Sequence, residues 1–446
     1  MKIEQFYDKA LAQASYAILN EKEIALVDPA RDPQPYYDFA EKNGAKIVAV
    51  FETHPHADFV SSHLQIHRET GATVYINEMV GVDYPHQGFN HGDELTLGKI
   101  KIKAIQTPGH SPDSNSYLLL DEAGKERALF SGDFLFIGDV GRPDLREGAG
   151  NIQAKREELA HQMYHSVVAT KSLAEDVVVY PAHGAGSLCG KNLSDKLFDT
   201  LGNQRKTNWA LQLAEEAEFV KNLLEDQPYI PDYFGYNVEI NRKGAESLKK
   251  SVMEVPRLAR NYQPDDQAPV IDTRPVEEYK KSHLPGTINI QALPDDKMET
   301  WLGSVIKPGE AFYLAAGSEK DLEKALFRTA KIGYENQIKG AFVVDEDLKG
   351  VRAESFDPVN LKSNPEKFTI IDIRQKSEGD KIFAEAIRIP LPELRNRIQE
   401  IPKDKPLVVH CAGGYRSAVG YSILEGNTNI KVYDLSNAVK DFQETA

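Results

Sequence analysis

The sequence predicts an α/β chain of three domains, and three observations lead there. Short β-branched runs alternate with polar turns through the first half. A strand–helix pattern then occurs twice, offset by about a hundred residues. A stretch rich in Pro and aromatic residues separates the two regimes.

In chain order, "EIALVD" (23–28), "KIVAVFET" (46–53), "TVYI" (73–76), "KIKIKAIQT" (99–107), "SYLLL" (116–120), "RALFSGD" (127–133) and "DVVVYPAH" (176–183) read as strands. Each is a short apolar or alternating run rich in β-branched residues and bounded by turn formers. Several end on His, Asp or Thr, so polar chemistry is expected to gather at one rim. Helical periodicity falls at 151–170 and 208–225. "EDQPYIPDYFGYN" (225–237) breaks helix and reads as a domain exit.

Then "APVIDTRPVEEYKKSHLPGTINI" (268–290) is echoed by "FTIIDIRQKSEGDKIFAEAIRIP" (368–390). Each copy has a strand ending in Asp-x-Arg and, further on, an apolar strand running through a glycine-containing loop into a helix. Such alternation implies a doubly wound parallel sheet. The expected domains are 1–240, 241–355 and 356–446.

Composition narrows the function classes. The chain has 446 residues, 41% hydrophobic and 27% charged, as in ordinary globular protein. A net charge of −15 argues against nucleic acid, whose phosphates require clustered Lys and Arg. No apolar run is long enough for a membrane span, and no secretory signal is expected at the N-terminus. With only two cysteines, Cys189 and Cys411, free thiols in a reducing cytoplasm are the simpler reading.

A first candidate site begins at "THPHADF", which carries His54, His56 and Asp58 just after a strand. "TPGHSPDS" places His110 after another strand, "LFSGDFLF" places Asp133, and "YPAHGAGS" places His183. Four strand ends delivering ligand-type side chains point to a metal site far more strongly than one His cluster on a solvated loop.

These residues resemble the metallo-β-lactamase superfamily over residues 1–240, which implies an αβ/βα sandwich. Its dinuclear hydrolases, such as glyoxalase II, open on HxHxDH; the last position of that motif is Phe59 in this chain. A phenyl ring cannot coordinate, and it makes the second pocket poorer for a hydrated cation. The branch most resembled is the mononuclear persulfide dioxygenases. That resemblance implies His54, His110 and Asp133 as ligands of one non-haem Fe(II) per chain, with positions left open for a persulfide and O2. His56, Asp58 and His183 would orient ligands or move protons, or serve as structural hydrogen-bond partners. In "GDVGRPDL", Arg142 matches the family arginine that binds a substrate carboxylate. Glutathione-using relatives have Tyr two residues after the last motif histidine, where this chain has Ala185, so a different low-molecular-weight thiol is plausible. Cys189 lies near that loop, either as a small hydrophobe or as a sulfur relay at the cavity mouth.

The second candidate site is "HCAGGYRS" (410–417), between an apolar strand and a helical run. Cys411 is expected beneath successive N–H groups at a helix N-terminus, with Arg416 adding positive charge. Gly413 and Gly414 let the backbone curl inward. Such a nest stabilises an anion and favours the thiolate. The loop "CAGGYR" resembles the six-residue active loop of rhodaneses, which implies two rhodanese-like domains after the sandwich and sulfane-sulfur transfer through a cysteine persulfide. In the middle copy the loop reads "AAGSEKD", with Ala315 expected at the nucleophile position and Lys320 at the arginine position.

Together the resemblances imply oxidation of a persulfide by O2 to sulfite, followed by sulfur transfer to sulfite, giving thiosulfate, in sulfide detoxification. The small-molecule partners are persulfide, O2 and sulfite; the oligomeric state is left open. Two alternatives stand: a dinuclear-zinc thioester hydrolase of the glyoxalase II type, and a sulfur carrier whose N-terminal domain is structural.

Overall fold

The computed structural model describes residues 1–147, 155–265 and 267–443. They form two compact units, the first comprising Met1–Ser251 with Ala330–Gly333, the second Val252–Thr329 with the chain from Tyr334 onward. No helix among the described residues is long and apolar enough to cross a membrane.

The first unit is built on two six-stranded sheets. One runs Lys2–Asp8, Gln13–Asn20, Glu23–Val27, Lys46–Phe51, Thr73–Ile76, Gln87–Gly88; the other runs Asp199–Thr200, Val178–Pro181, Glu126–Gly132, Asn115–Leu120, Ile100–Gln106, Glu94–Leu97. Alternate residues of both sheets, among them Tyr16, Ile18, Val27 and Phe51 with Ile102, Tyr117, Leu119 and Phe130, meet in one buried cluster. The residues between them face outward and are covered by helices. Leu26, Val50 and Val74 pack with Tyr36, Phe39 and Leu64, while Leu118, Leu129 and Val179 pack with Ala160, Met163 and Phe219. Burial on both faces is why runs such as "SYLLL" lack a polar alternation. The result is the αβ/βα sandwich.

All seven expected strands are present, and two long ones were not foreseen. Lys2–Asp8 is an edge strand with no fully buried residue, so its pattern carries little apolar signal. Gln13–Asn20 is almost wholly buried but mixes Gln, Ser and Asn with small apolar residues.

The helical expectations need two corrections. The first lies partly outside the described residues; the helix described is Arg156–Ala169. The stretch 208–225 is two helices, Trp209–Gln212 and Glu216–Leu224, because the backbone turns extended at Leu213 and Glu215. The Pro-rich stretch does interrupt helix, yet it is no domain exit. The helix Tyr233–Lys243 follows it, crosses residue 240 and stays in the first unit, which moves the expected boundary to Ser251.

In the second unit the duplication is plain. Two four-stranded parallel sheets share one strand order: Ile288–Asn289, Val270–Asp272, Phe312–Ala316, Ile338–Val343, then Ile387–Arg388, Thr369–Asp372, Leu407–His410, Val432–Asp434. Register corrects one expectation. Asp372 lies opposite His410 and Asp272 lies opposite Ala315, so Ala316, not Ala315, stands where Cys411 does. The middle loop is one residue shorter, since its helix begins at Glu319, three residues on, whereas the helix after Cys411 begins at Tyr415, four residues on. Lys320 therefore keeps the helical position of Arg416.

The Asp-x-Arg pairs anchor each sheet. Asp272 binds Arg274, at 2.6 Å from its Nη2, and both are buried. Asp372 binds both Arg374, at 3.0 Å, and Arg388, at 2.9 Å. Removing one partner of a buried pair strands the other charge. Asp372→Ala should therefore cost roughly 3–5 kcal/mol, and Asp272→Ala, which strands one guanidinium instead of two, should cost less. Hydrogen exchange through Thr369–Asp372 and through Val270–Asp272 reads the two losses separately. Equal losses would remove Arg388 from this account.

Candidate functional site

Four strand ends open onto one buried cluster. His54 follows Lys46–Phe51, His110 follows Ile100–Gln106, Asp133 follows Glu126–Gly132, and His183 follows Val178–Pro181. His54, His110 and Asp133 bring one ligand atom each to within 4.8 Å of one another, and all three residues are buried. His110 Nε2 lies 3.5 Å and His54 Nε2 4.0 Å from the same Asp133 oxygen.

Hydrogen bonds at the far side of each ring aim these nitrogens. His110 Nδ1 donates to the Arg142 carbonyl at 2.9 Å, which leaves the Nε2 lone pair facing Asp133. His54 Nδ1 lies 3.0 Å from Thr53 Oγ1, and Thr53 itself donates to Asp28 through both N–H and hydroxyl. Burial, with the neighbouring His56, holds His54 well below the usual imidazole range; burial also keeps His110 down despite Asp133. Both rings are thus neutral and available as ligands. Both Asp133 oxygens are buried without a hydrogen-bond donor. A buried carboxylate short of hydrogen-bond donors is costly, and a bound cation would supply what the fold withholds. The donor set fits a metal.

The second triplet is different in kind. His56, Asp58 and His183 also converge within 4.8 Å. His183 Nε2 lies 3.4 Å from Asp58 and 3.4 Å from Asp133, while its Nδ1 donates to the Ala12 carbonyl at 3.1 Å. Burial opposes a charge on His183, but Asp58 and Asp133 outweigh it and raise the ring well above its usual range. Asp58 is lowered, with His183 outweighing burial. His56 Nε2 is 3.0 Å from Asp28 Oδ1; burial works against its charge, and the carboxylates of Asp28 and Glu52 still push it up to about 9. Phe59 lies against this ring, with centroids 4.4 Å apart, filling with hydrocarbon the space beside it.

Two expectations are corrected. Arg142 is buried, and its guanidinium fork is closed on Asp144, with Nε–Oδ1 at 2.6 Å and Nη2–Oδ2 at 2.7 Å, and with Nη1 on the Leu188 carbonyl. So occupied, it does not present itself to a substrate carboxylate; what it offers the site is the carbonyl that orients His110. Cys189 is not at a cavity mouth. It is 1% exposed, and burial together with Asp133 and Asp58 pushes its thiol up, away from the thiolate. Its sulfur nevertheless stands within 4.8 Å of ligand atoms of Asp133 and His183.

Several contributing residues escaped the sequence reading. Asp28 closes the strand Glu23–Val27 with a left-handed backbone (φ 49°), accepts the hydrogen bonds of Thr53 and forms the ion pair with His56. Its signal was the polar end of "EIALVD". Asn241 donates from Nδ2 to the carbonyls of His56 and Phe59 and accepts from Ser61 N–H, bracing the whole loop. Nothing in the sequence marks it. Arg146 binds the Asp113 carboxylate behind His110.

In the second unit, Cys411 is buried and its sulfur accepts the Gly414 N–H at 3.1 Å, immediately before the helix Tyr415–Asn427. Of the two glycines, only Gly414 is required by its backbone. It has φ 103° and a Cβ there would stand 2.9 Å from Asn437; one on Gly413 would meet nothing. Arg416 is bound in bidentate fashion by Glu378, at 2.6 Å for each bond.

Gly141 links the ligands sterically. A Cβ there would sit 1.9 Å from the Asp133 carbonyl oxygen and 3.0 Å from the His110 ring. Gly141→Ala must displace both ligands, and metal affinity should fall about 10–100-fold, the usual cost of disturbing ligand support. Elemental analysis with circular dichroism checks it; full metal content in a folded variant would contradict the placement.

Residues 8–183 match the profile of the metallo-beta-lactamase superfamily, and 255–354 and 357–445 each match that of the rhodanese-like domain. A cytoplasmic hydroxyacylglutathione hydrolase of Arabidopsis thaliana is 32% identical over 241 residues, covering 50% of this chain and 87% of that one. The hydroxyacylglutathione hydrolase of Francisella philomiragia is 29% identical over 228 residues, covering 50% and 82%. Among solved structures, a metallo-beta-lactamase from Staphylococcus aureus subsp. aureus COL is 33% identical, with a TM-score of 0.67, covering 77% of this chain and 99% of that one. The chain belongs to the metallo-β-lactamase superfamily, as a member whose catalytic sandwich is followed by two rhodanese-like domains.

Proposed function

We propose that the first unit is a persulfide dioxygenase holding one Fe(II), and that Cys411 is the carrier of a linked sulfurtransferase. The observation that carries the reading is the pair of triplets. Two neutral imidazoles and a donorless carboxylate form a three-ligand set, while Phe59 packs against His56, whose Nε2 is engaged by Asp28. His54, His110 and Asp133 would hold the metal. Iron, when bound, supplies redox chemistry and vacant positions at which sulfur and dioxygen can meet.

The overall step is RSSH + O2 + H2O → RSH + SO3²⁻ + 2 H⁺. Thr53 and the Arg142 carbonyl keep the ligand rings in one tautomer. His183, beside Asp58 and Asp133, would give a proton to the departing thiolate. Phe59 and its apolar neighbours exclude water from that side of the cluster. At the second site, the Cys411 thiolate attacks the sulfane sulfur of another RSSH, releasing RSH. Sulfite then removes that sulfur as thiosulfate and restores the thiolate. Covalent fusion raises the effective concentration of the shared sulfite.

A second reading has an observation behind it. His56, Asp58 and His183 form a second possible ligand set, and the similar proteins are hydroxyacylglutathione hydrolases; hydrolysis of a thioester by water activated between two metals would use both sets.

Fe-loaded protein given a persulfide should consume O2, with about one iron per chain. Two zinc ions per chain and hydrolysis of a thioester without O2 uptake would replace this reading with the second. Cys411→Ser should keep O2 consumption while the product shifts from thiosulfate to sulfite; unchanged thiosulfate would take Cys411 out of the scheme.

A further inference from the structure

Four residues of the middle copy, Ala330–Gly333, belong to the first unit. They close the helix Glu319–Ala330 with a tight turn, in which Gly333 N–H donates to the Ala330 carbonyl at 3.1 Å. The turn is seated on the helix Tyr233–Lys243. Tyr236 donates its hydroxyl to the Gly333 carbonyl at 3.3 Å. A Cβ on Gly333, whose φ is 70°, would stand 2.4 Å from Ile240 Cδ1 and 3.2 Å from Val60 Cγ2. Asn241, on the same helix, braces the His56 and Phe59 carbonyls. From this turn Lys331 bonds two further elements. Its carbonyl accepts the Val60 N–H at 2.8 Å, and its ammonium pairs with Asp8.

Both partners lead to the second triplet. Val60 ends the stretch that carries His56, Asp58 and Phe59. Asp8, with its other oxygen, accepts the N–H groups of Ala10 at 3.0 Å and Leu11 at 3.4 Å, and so closes the turn into the strand Gln13–Asn20. In that turn Ala12, 1% exposed, is held at φ 51°. A residue with a Cβ keeps such a left-handed backbone only where its surroundings over-determine it. The Ala12 carbonyl accepts the Gly184 N–H at 3.0 Å and the His183 Nδ1–H at 3.1 Å. Asp58 and His183, 3.4 Å apart, thus rest on separate loops, and one lysine holds both.

We propose that Lys331 is a positioning residue of the first site: its carbonyl and its ammonium together set the separation of the Asp58 loop from the turn that aims His183. The inference rests on the first unit being the catalyst proposed above, and it gives a residue of the Cys-less copy a part in that reaction. Lys331 has no contact with substrate or metal in this scheme and acts through Val60 and Asp8. The residues that would hold the metal are oriented by other groups, His54 by Thr53 and His110 by the Arg142 carbonyl. Metal content should therefore be indifferent to Lys331, while turnover is not. A displacement of about 1 Å at a reacting group is enough to slow a reaction markedly.

Full-length, Fe-loaded Lys331→Met keeps the carbonyl and most of the side chain's length and loses the ammonium. Its iron content and its KM for persulfide should match the wild type, and its kcat for O2 uptake should fall about tenfold, the cost of a small misplacement at the reacting groups. Asp8→Asn should cause the same loss, the double variant no further loss, and Lys331→Arg should restore most of the rate. Hydrogen exchange reads the clamp without turnover. Residues 10–12 and Val60 should lose protection together in Lys331→Met, while Thr369–Asp372 keeps it. Wild-type kcat in a folded, iron-replete Lys331→Met, losses that multiply in the double variant, or loosening of one loop alone would overturn the clamp. No O2 uptake by the wild-type chain, with both loops loosened together in Lys331→Met, would instead overturn the dioxygenase reading and leave the clamp standing.

Discussion

A buried carboxylate without a donor governs the first unit. Asp133 is 2% exposed, and neither of its oxygens accepts a hydrogen bond. Its neighbours are the imidazoles of His54, His110 and His183, at 4.0, 3.5 and 3.4 Å, and a buried carboxylate short of hydrogen-bond donors is costly enough to decide local structure. Burial denies His54 and His110 a charge that could neutralise it, while their Nδ1 atoms are tied down so that Nε2 points inward. The approach is tight. Gly132 turns with φ 54° just before Asp133, where a Cβ would stand 2.5 Å from Thr53 Oγ1. A side chain at either Gly132 or Gly141 would drive the strand ends apart, so the sandwich and the ligand set depend on the same close contacts.

The two sites carry opposite electrostatics. In the first, Asp28, Glu52, Asp58 and Asp133 gather around imidazoles in a space that favours cations and protonated His56 and His183. In the second, a backbone N–H at a helix N-terminus meets the Cys411 sulfur, and Arg416 in the first turn of that helix is paired with Glu378. An acid-rich space of this kind attracts cations and repels anions, while a helix N-terminus does the reverse.

What the sequence made legible was whatever repeats or ends a strand. The ligand-type residues sit at strand termini with turn formers around them, so the convergence of His54, His110 and Asp133, with His183 beside them, could be read before any coordinates. The Asp-x-Arg echo gave the duplication in the same way. Residues that act through long-range contacts left no local trace. Asn241, more than 180 positions from the loop it braces, looks like any helical asparagine. Arg142 was legible as a special arginine but not as a satisfied one, because its partner Asp144 is read as an ordinary turn residue until the fork closes on it. Ala315 was misplaced by one position since loop length had to be assumed, and register across the sheet alone corrects it.

The fate of the middle copy follows from which features it kept. It retains the parallel sheet and the buried Asp272–Arg274 pair, which stabilise the fold. At the position of Arg388 it has Asn289, whose Nδ2 now donates to the carbonyls of Asp272 and Arg274. That exchange removes a second guanidinium from the neighbourhood of the loop, where it would have favoured an anion. The same residue's backbone N–H binds Ser422 on the helix that follows Cys411. A strand edge that carries charge in the catalytic copy is therefore used for docking in the silent one. The middle copy thus holds the loop of the Cys411 copy through Tyr415 and sets the Trp301 ring against Arg416.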